Sequence, residues 1–378
     1  MKAKSIKGKS IEEIKSALAE NLADGYTPTL ALVFLAISHD MKALCTILDE
    51  QGIAVFGATS SAEFTEEGVE TEGIAILLLD INPVYFKIVL KDFGDGSVYE
   101  SASEIGEFGK NTFANPAFII STANFLIPPN EVISGIEDKV GEDVIIIGGM
   151  AGEPINFAGT VFTNDSSCSN GMVSLILDQD KISLKGMAVS GWKAVGTKKI
   201  ITKSEGFWIH TIDHLPASEV LKKFLGSDIF SDDKTDGIVK SNMNYPMQFD
   251  RPGGSPMMLP FLLFNTNDQS VMLAGNAKEG AAFRFSLPPD FEVIDMVIES
   301  SRIIKERYLS EADALIVFSC VGRLSSLGPM ASMELEGLAS TWNKPMGGFF
   351  SLGEFGRIAD GKPEFHGTTV SWVALKEK

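Results

Sequence analysis

Polar side chains that could bind a ligand or take part in a reaction follow two apolar strands near the C-terminus of the chain. Cys320 and Arg323 come after the run ALIVFS, and Ser351 and Glu354 come after the run MGGFF. Ligands of open α/β sheets bind beyond the carboxyl ends of the strands, so these four side chains are expected to line one ligand site. A guanidinium binds a carboxylate through two parallel hydrogen bonds, and a carboxylate forms an ion pair with an ammonium group. The pattern predicts a site for a small carboxylate or a zwitterionic amino acid.

Glycines surround Glu354 in the stretch GGFFSLGEFG, residues 347–356. They allow a ligand to approach the backbone closely, which adds Gly348 to the candidate site. A related stretch, GATSSAEF at 57–64, contains Ser60 and Glu63. Every arginine lies at or beyond position 251, so no guanidinium of the N-terminal part opposes Glu63. The C-terminal stretch is therefore the stronger candidate, and Ser60 and Glu63 are secondary site residues.

Each of these residues also has another interpretation. Arg323 could pair with an internal acid, Glu354 or Glu334, and tie two elements together. GEFG could be a tight turn with a solvated acid. Cys320 could be a nucleophile with His366 as its base and Glu354 as the orienting acid, although cysteines at strand ends are more often buried hydrophobes. A thiol or acid–base enzyme thus stands as the alternative to a ligand-binding protein, and a scaffold that recognises a protein through its surface is the third possibility.

Other motifs give weaker signals. His210 and His214 in HTIDH have the spacing of a zinc motif but lack its glutamate and straddle a turn. GGMAGE at 148–153 is not followed by a helix, so a nucleotide fingerprint is not supported. GFFSLG misses the spacing of a nucleophile elbow at Ser351. No metal and no cofactor are expected. A methionine-rich stretch, with methionines at 243, 247, 257 and 258, could form an adaptable lip over a pocket.

Composition excludes several classes of function. The chain has 378 residues, of which 44% are hydrophobic and 22% charged, and its formal net charge is -18. Nucleic-acid binding depends on clustered cations, so it is not expected as the main function. The three cysteines are far apart and suggest no disulfide framework. No secretion signal and no apolar run of about 18 residues is present, so a cytoplasmic protein without membrane insertion is expected.

One supersecondary unit recurs three times along the chain. The predicted first strands cover 29–37, 117–122 and 314–320, the helices 40–51, 129–140 and 329–341, and the second strands 52–57, 143–149 and 345–350. A strand, a crossover helix and a strand pair in parallel, whereas short links to the next strand favour antiparallel addition. The sequence therefore predicts an α/β fold of repeated β-α-β-β units in mixed sheets flanked by helices. Two domains are expected, 28–215 and 216–378, after a lead-in helix within 1–27.

The ordered motifs of the chain resemble those of the FIST family. They are LALVFLAIS, GATSSAEF, IIIGGMAGE and HLPASEV in the N-terminal part, and FSCVGR, GGFFSLGEF and FHGTTVSWVAL in the C-terminal part. Ala58, Ala62 and Gly367 depart from residues common in the family. The resemblance implies a FIST N-terminal and a FIST C-terminal domain, and a sensory protein for signal transduction that binds a small ligand such as an amino acid. Because no output segment is visible, it also implies a protein signalling partner.

Overall fold

The chain builds three α/β units of the same order and a β-rich segment inserted into the third. The computed structural model describes residues 1–153, 157–226, 230–235, 238–241, 245–251, 256–276, 278–287, 290, 292–359 and 361–378, with backbone only at 230–235 and 238–241. Each unit runs strand, helix, strand, helical crossover, strand, hairpin and strand. The repetition that the sequence predicts is therefore confirmed.

The first two units have the same succession of elements. The first comprises β1 (Lys2–Gly8), α1 (Ile11–Leu22), β2 (Leu30–Ala36), α2 (Met41–Asp49), β3 (Ala54–Ser60), β4 (Ala62–Thr65), β5 (Gly68–Thr71) and β6 (Ile74–Asp80). The second comprises β7 (Phe86–Asp92), α3 (Val98–Thr112), β8 (Pro116–Thr122), α4 (Pro129–Val140), β9 (Ile145–Met150), β10 (Val161–Phe162), β11 (Ser167–Cys168) and β12 (Gly171–Asp178).

The third unit is interrupted after its first strand by the inserted segment. It opens with β13 (Ile182–Val189). The insert comprises β14 (Lys193–Glu205), β15 (Trp208–Ile212), β16 (Leu215–Pro216), α5 (Ala217–Leu225), β17 (Phe230–Thr235), β18 (Ile238–Ser241), β19 (Met247–Phe249), β20 (Met257–Leu259), β21 (Phe261–Asn265), β22 (Val271–Leu273) and β23 (Ala282–Leu287). The unit resumes with α6 (Glu292–Arg307), β24 (Ala314–Cys320), α7 (Val321–Leu327), α8 (Ala331–Trp342), β25 (Met346–Ser351), β26 (Glu354–Gly356), β27 (Glu364–His366) and β28 (Val370–Glu377).

The three units exchange hairpins in a ring. The sheet orders are β1-β6-β2-β3-β10-β11, β7-β12-β8-β9-β26-β27 and β13-β28-β24-β25-β4-β5. The hairpin of the first unit thus completes the sheet of the third, that of the third completes the second, and that of the second completes the first. Within each unit the two central strands are parallel and the closing strand is antiparallel, as the connections predict. The mixed α/β fold with flanking helices is therefore confirmed.

Alternate residues of the central strands belong to different cores. One side of each sheet faces a core shared by all three units, which includes Leu32 of β2, Ile119 of β8 and Ile316 of β24. The other side faces the helices of its own unit; Val33 packs in the core of α1 and α2, for example. The ring of Phe349 contacts Phe34 and Phe318 in the shared core, with centroids 5.0 and 5.5 Å apart. This period-two pattern explains why the strands read as continuous apolar runs, since both faces are buried.

The crossover of the third unit differs from its prediction. The helix predicted over 329–341 is present as α8, but a further helix, α7, precedes it and begins directly after β24, with Cys320 as its N-terminal flanking residue. Gly328, at φ 55°, ends α7, and a 3₁₀ turn over Gly328–Met330 leads into α8. Glycine adopts this left-handed conformation at little cost, so the break is local. As a result Arg323 lies in the first turn of a helix rather than in an open loop.

The insert has its own core between β14 and β23. This core includes Ile209, Leu221, Phe261 and Phe283. Pro216, where the sequence predicts the domain boundary, lies in β16 of the insert. The limits 28–215 and 216–378 remain a prediction. None of the helices that the structure describes combines the length and the apolar composition needed to cross a membrane.

Gly348 of β25 allows the hairpin of the first unit to pack closely. A Cβ added at this position would lie 2.0 Å from the Val317 carbonyl oxygen and 2.5 Å from the Phe64 ring. Because neither atom belongs to a flexible side-chain end, we expect Gly348→Ala to lower the free energy of unfolding by about 1–3 kcal/mol in urea titrations. Gly96→Ala is the control, since a Cβ there meets only one atom, at 3.3 Å. Equal stability of the two variants would contradict the packing role.

Candidate functional site

The guanidinium of Arg323 is fully buried against Glu334 of α8. Its Nε donates to the carboxylate at 3.1 Å and its Nη2 donates to the other carboxylate oxygen. Its Nη1 donates to the backbone oxygens of Ser190, at 2.6 Å, and Thr368, at 3.2 Å, and the Trp192 ring lies 5.4 Å away. Each nitrogen of the guanidinium thus has a protein partner. The contact with an internal acid, which the sequence allows as an alternative, is present, and a direct ligand contact of Arg323 stays a prediction.

Glu354 is buried, and no cation among the described residues is in hydrogen-bonding contact with it. Its Oε1 accepts from the Ser351 hydroxyl at 2.6 Å and its Oε2 accepts from the Thr369 amide at 3.2 Å. Burial raises the pKa of Glu354 well above its usual range, and these bonds together with one from the Cys320 thiol oppose the rise only in part. The Ser351 hydroxyl also contacts the Ser319 carbonyl oxygen at 3.2 Å. The acid is therefore not solvated, and burial favours its protonated form.

The first unit contains the same serine–glutamate pair. The Ser60 hydroxyl donates to Oε1 of Glu63 at 2.6 Å, and the Gly73 amide donates to Oε2 at 3.0 Å. Burial is the largest cause that raises the pKa of Glu63 to about 7. In the second unit Met150 takes the position of the serine, and Glu153 is partly exposed. Two of the three units therefore bury a glutamate beside the strand end in the same geometry.

Burial disfavours the charged forms of both the Cys320 thiol and the His366 imidazole. Burial, followed by the charge of Glu354, raises the pKa of Cys320. Burial, followed by the charge of Arg251, lowers the pKa of His366 to about 4, and its Nε2 lies 3.3 Å from the Gly356 oxygen. A thiol nucleophile needs the opposite shift, towards the thiolate. The thiol-enzyme alternative gains no support from this geometry.

A cavity of about 340 Å³ lies beside this cluster, between the insert and the third unit. Its volume is within the range of small-molecule sites. The insert supplies part of the wall from β14, β19 and β20, and the third unit supplies the rest from β13 and the link after it, α6, the chain after β26, β27 and the link into β28. The described lining residues are Ala188, Ser190, Gly191, Trp192, Lys193, Gln248, Pro256, Met258, Met296, Ile358, His366 and Thr369. His366 is the one predicted site residue in this lining.

The segment His366–Thr369 joins the cavity wall to the buried cluster. Thr368 has φ 52°, a left-handed conformation that a β-branched residue adopts only under strain. Arg323 holds its carbonyl oxygen, and the next residue, Thr369, bonds to Glu354 through its amide and to the Cys320 amide through its carbonyl oxygen, at 2.9 Å. Arg323, Glu354 and Cys320 therefore hold the Thr368–Thr369 part of the cavity wall through its backbone.

Sequence reasoning missed most of the residues that face the cavity. Trp192, Ser190 and Gln248 carry no motif, and Thr369 lies in FHGTTVSW without a distinguishing signal. The methionine-rich stretch was the available signal, because Met258 lines the cavity; Met243 lies outside the described residues. Gly348, a predicted site residue, does not belong to the described lining of the cavity and packs against the Phe64 ring.

The histidines of HTIDH do not form a metal site with their neighbours. His210 lies in β15 with its Nδ1 3.8 Å from an Asp268 oxygen, and His214 adopts φ 66° in the following turn. Within the part of the chain that the structure describes, no group of three or more histidine, cysteine or acidic side chains is arranged to hold a metal ion.

Two protein-family models match the chain. The FIST N domain model matches residues 29–215, and the FIST C domain model matches residues 217–357. A search of curated proteins found no match to the chain. FIST domains are associated with sensory ligand binding in signal transduction. The two matches cover nearly the whole chain in the order that the motifs predict, and the chain belongs to the FIST family.

Proposed function

We propose that this chain is a cytoplasmic, non-enzymatic sensory protein that binds a small carboxylate or an amino acid in the cavity between the insert and the third unit. The observation that carries the proposal is a small-molecule-sized cavity whose wall is anchored by Arg323, Glu354 and Cys320. Those residues act as positioning groups, and the ligand contacts come from the lining.

The lining contains donors suited to a carboxylate. The Ser190 hydroxyl is buried with no hydrogen-bond partner among the described residues. Gln248 accepts from the Ser286 hydroxyl at 3.1 Å through Oε1, which leaves its NH₂ group as a donor. An unpartnered buried hydroxyl costs free energy that a ligand oxygen would recover.

The rim carries charges of both signs. Lys193 pairs with Asp290 at 3.2 Å and with Glu292 at 3.1 Å. A zwitterion can compete for both partners, with its carboxylate near the lysine and its ammonium near the acids. Trp192, Met258 and Met296 supply apolar surface for a side chain. This combination supports an amino acid over an inorganic anion.

Ligand binding in this cavity would change the arrangement of the insert relative to the third unit, and a protein partner would recognise that change. The ligand would contact both the insert, at Gln248 and Met258, and the third unit, at Thr369. Differential affinity for two arrangements of these parts shifts their populations, and the partner would recognise one of them.

Isothermal titration with pooled amino acids and small carboxylates tests this proposal. We expect binding by the wild type and a loss of about five- to tenfold in affinity for Ser190→Ala, the value of one hydrogen bond. The unliganded stability of this variant should not fall and should rise slightly, because the substitution removes a buried hydroxyl that has no partner among the described residues. Ser174→Ala is the matched control, because it removes another buried unpartnered hydroxyl, on β12. Equal affinity of the two variants for a bound ligand would place the site elsewhere.

A further inference from the structure

A second cavity of about 340 Å³ lies where the hairpin of the third unit crosses to the sheet of the second. Strand β9 of the second unit, β13 and α6 of the third, and the chain after β26 all contribute to it. Its described lining residues are Ile145, Ile147, Leu184, Lys185, Gly186, Met187, Ser300, Ile303, Ile304, Arg307, Tyr308, Arg357, Ile358 and Ala359. Ile358 also belongs to the lining of the first cavity, and the other residues are distinct.

The charged side chains that line this cavity are all positive. Lys185, Arg307 and Arg357 line it, and no aspartate or glutamate does. Among the described residues none of the three cations lies within ion-pair distance of a carboxylate, whereas Arg302, on the same helix as Arg307, pairs with Glu299 at 3.7 Å. Burial raises the pKa of Glu137, and the charges of Lys362 and Arg357 oppose the rise, so one acid does lie near Arg357, outside the lining. Lys185 and Arg307 are exposed and Arg357 is half-buried, and together they give this cavity a positive lining in a chain whose net charge is -18. The site therefore attracts an anion.

The guanidinium of Arg357 has one buried nitrogen, Nε, that could donate a hydrogen bond to a ligand. Its Nη2 donates to the Val144 carbonyl oxygen at 3.0 Å, which fixes the side chain. Its Nε is buried and has no hydrogen-bond partner within the described part of the chain. A buried guanidinium nitrogen without an acceptor is costly, and an anionic ligand oxygen would satisfy it.

Most of the remaining lining is apolar, and Ser300 and Tyr308 are its polar side chains. Seven side chains form the apolar surface: Ile145, Ile147, Leu184, Met187, Ile303, Ile304 and Ile358. Tyr308 lies at the mouth with 57% of its surface exposed, and its hydroxyl can donate to an oxygen. Burial of a hydrocarbon chain on such a surface is favourable in proportion to its area. A purely inorganic anion would leave this surface unused.

We infer that this cavity binds an aliphatic monocarboxylate, with its hydrocarbon chain on the isoleucine and leucine surface and its carboxylate among Lys185, Arg307 and Arg357. This ligand would bridge the second and third units at the place where a hairpin passes between them. The site shares only Ile358, among the described lining residues, with the proposed amino-acid site, and neither proposal rests on the other.

Calorimetric titration with octanoate, butyrate, octan-1-ol and octylamine tests the assignment on the full chain. We expect octanoate to bind at least tenfold more tightly than butyrate, which lacks most of the hydrocarbon, and than octanol, which lacks the charge. Octylamine should not compete. Octyl phosphate is included because its head group is also anionic; tighter binding of octyl phosphate than of octanoate would overturn the carboxylate assignment. Equal binding of octanol and octanoate would also overturn the inference, because the cations would then have no role.

Variants on one helix separate this site from general charge effects. Arg307→Gln is expected to weaken octanoate binding about three- to tenfold, and Lys185→Gln/Arg307→Gln by at least tenfold. Arg302→Gln removes the same charge from the same helix outside this lining and should leave the affinity unchanged. Ser190→Ala, in the first cavity, should also leave it unchanged. Weakening by Arg302→Gln equal to that of Arg307→Gln, or weakening by Ser190→Ala, would overturn the assignment, and the second result would place octanoate in the first cavity.

Discussion

Replacement of Arg323 by methionine is expected to lower the free energy of unfolding by about 3–5 kcal/mol, the usual cost of removing one partner of a buried ion pair. The Arg323 and Glu334 side chains are 0% and 1% exposed, so the substitution leaves a carboxylate in the core without its cation. It also removes the donors to the Ser190 and Thr368 carbonyl oxygens, which hold the cavity wall. Urea unfolding followed by circular dichroism measures the loss.

A double substitution separates the charge from the loss of shape. Arg323→Met with Glu334→Leu should recover most of the stability, because apolar residues of similar volume often replace a buried ion pair without a net cost. Arg302→Gln is the control, since its partner Glu299 and Arg302 itself are both 62% exposed; it should change stability by less than about 1 kcal/mol. If the double variant were no more stable than Arg323→Met, the unpaired carboxylate would not be the source of the loss.

The second large effect is the pH dependence introduced by Glu63. Its pKa is about 7 in the folded chain, against an ordinary value of 4.5, so the folded state binds this proton more tightly than the unfolded state. The resulting stability is fully present below pH 4.5 and is lost as the pH rises through 7. The difference of these pKa values corresponds to about 3 kcal/mol. Glu63→Gln removes the titration, and its stability relative to wild type should rise by about this amount between pH 4.5 and 8.

His366 acts in the opposite direction over nearly the same range. Its folded pKa of about 4 is below its ordinary value of 6.5, so the stability that it contributes is present above pH 6.5 and is lost as the pH falls through 4. The two slopes partly cancel in the wild type, and the test is therefore the difference between variant and wild type. Glu67→Gln, an exposed acid on the same hairpin, is the control for a general charge effect. A difference between Glu63→Gln and wild type that does not vary with pH would show that Glu63 is not protonated on folding.

Local patterns made much of the fold predictable from the sequence. Continuous apolar runs such as 314–320 indicate strands buried on both faces, and the helix that follows each first strand requires a parallel partner. The hairpin exchange was not predictable in this way. Residues 62–65 read equally well as an addition to their own sheet, and their pairing with β25 depends on contacts nearly 300 positions away along the chain.

The candidate site was predictable in part. The strand-end rule placed Cys320, Arg323 and Glu354 near one another, and the structure brings all three to the segment Thr368–Thr369. The rule does not predict whether these side chains are buried. Glu334 of α8 accepts hydrogen bonds from the Arg323 guanidinium, and the rule does not predict this contact either. Trp192 lies in the link between β13 and β14, and the insert separates it along the chain from the cavity residues of α6 and β27, so its role required the tertiary structure.

The ring of exchanged hairpins has a consequence for the order of the units along the chain. Each unit relates to the next in space as the third relates to the first, so the assembly has no first member. The α-amino group of Met1 forms an ion pair with Glu377 and lies 3.7 Å from an Asp313 oxygen, which brings the two ends of the printed sequence together. A circular permutation that joins these ends and opens the link between β6 and β7 would preserve every strand pairing.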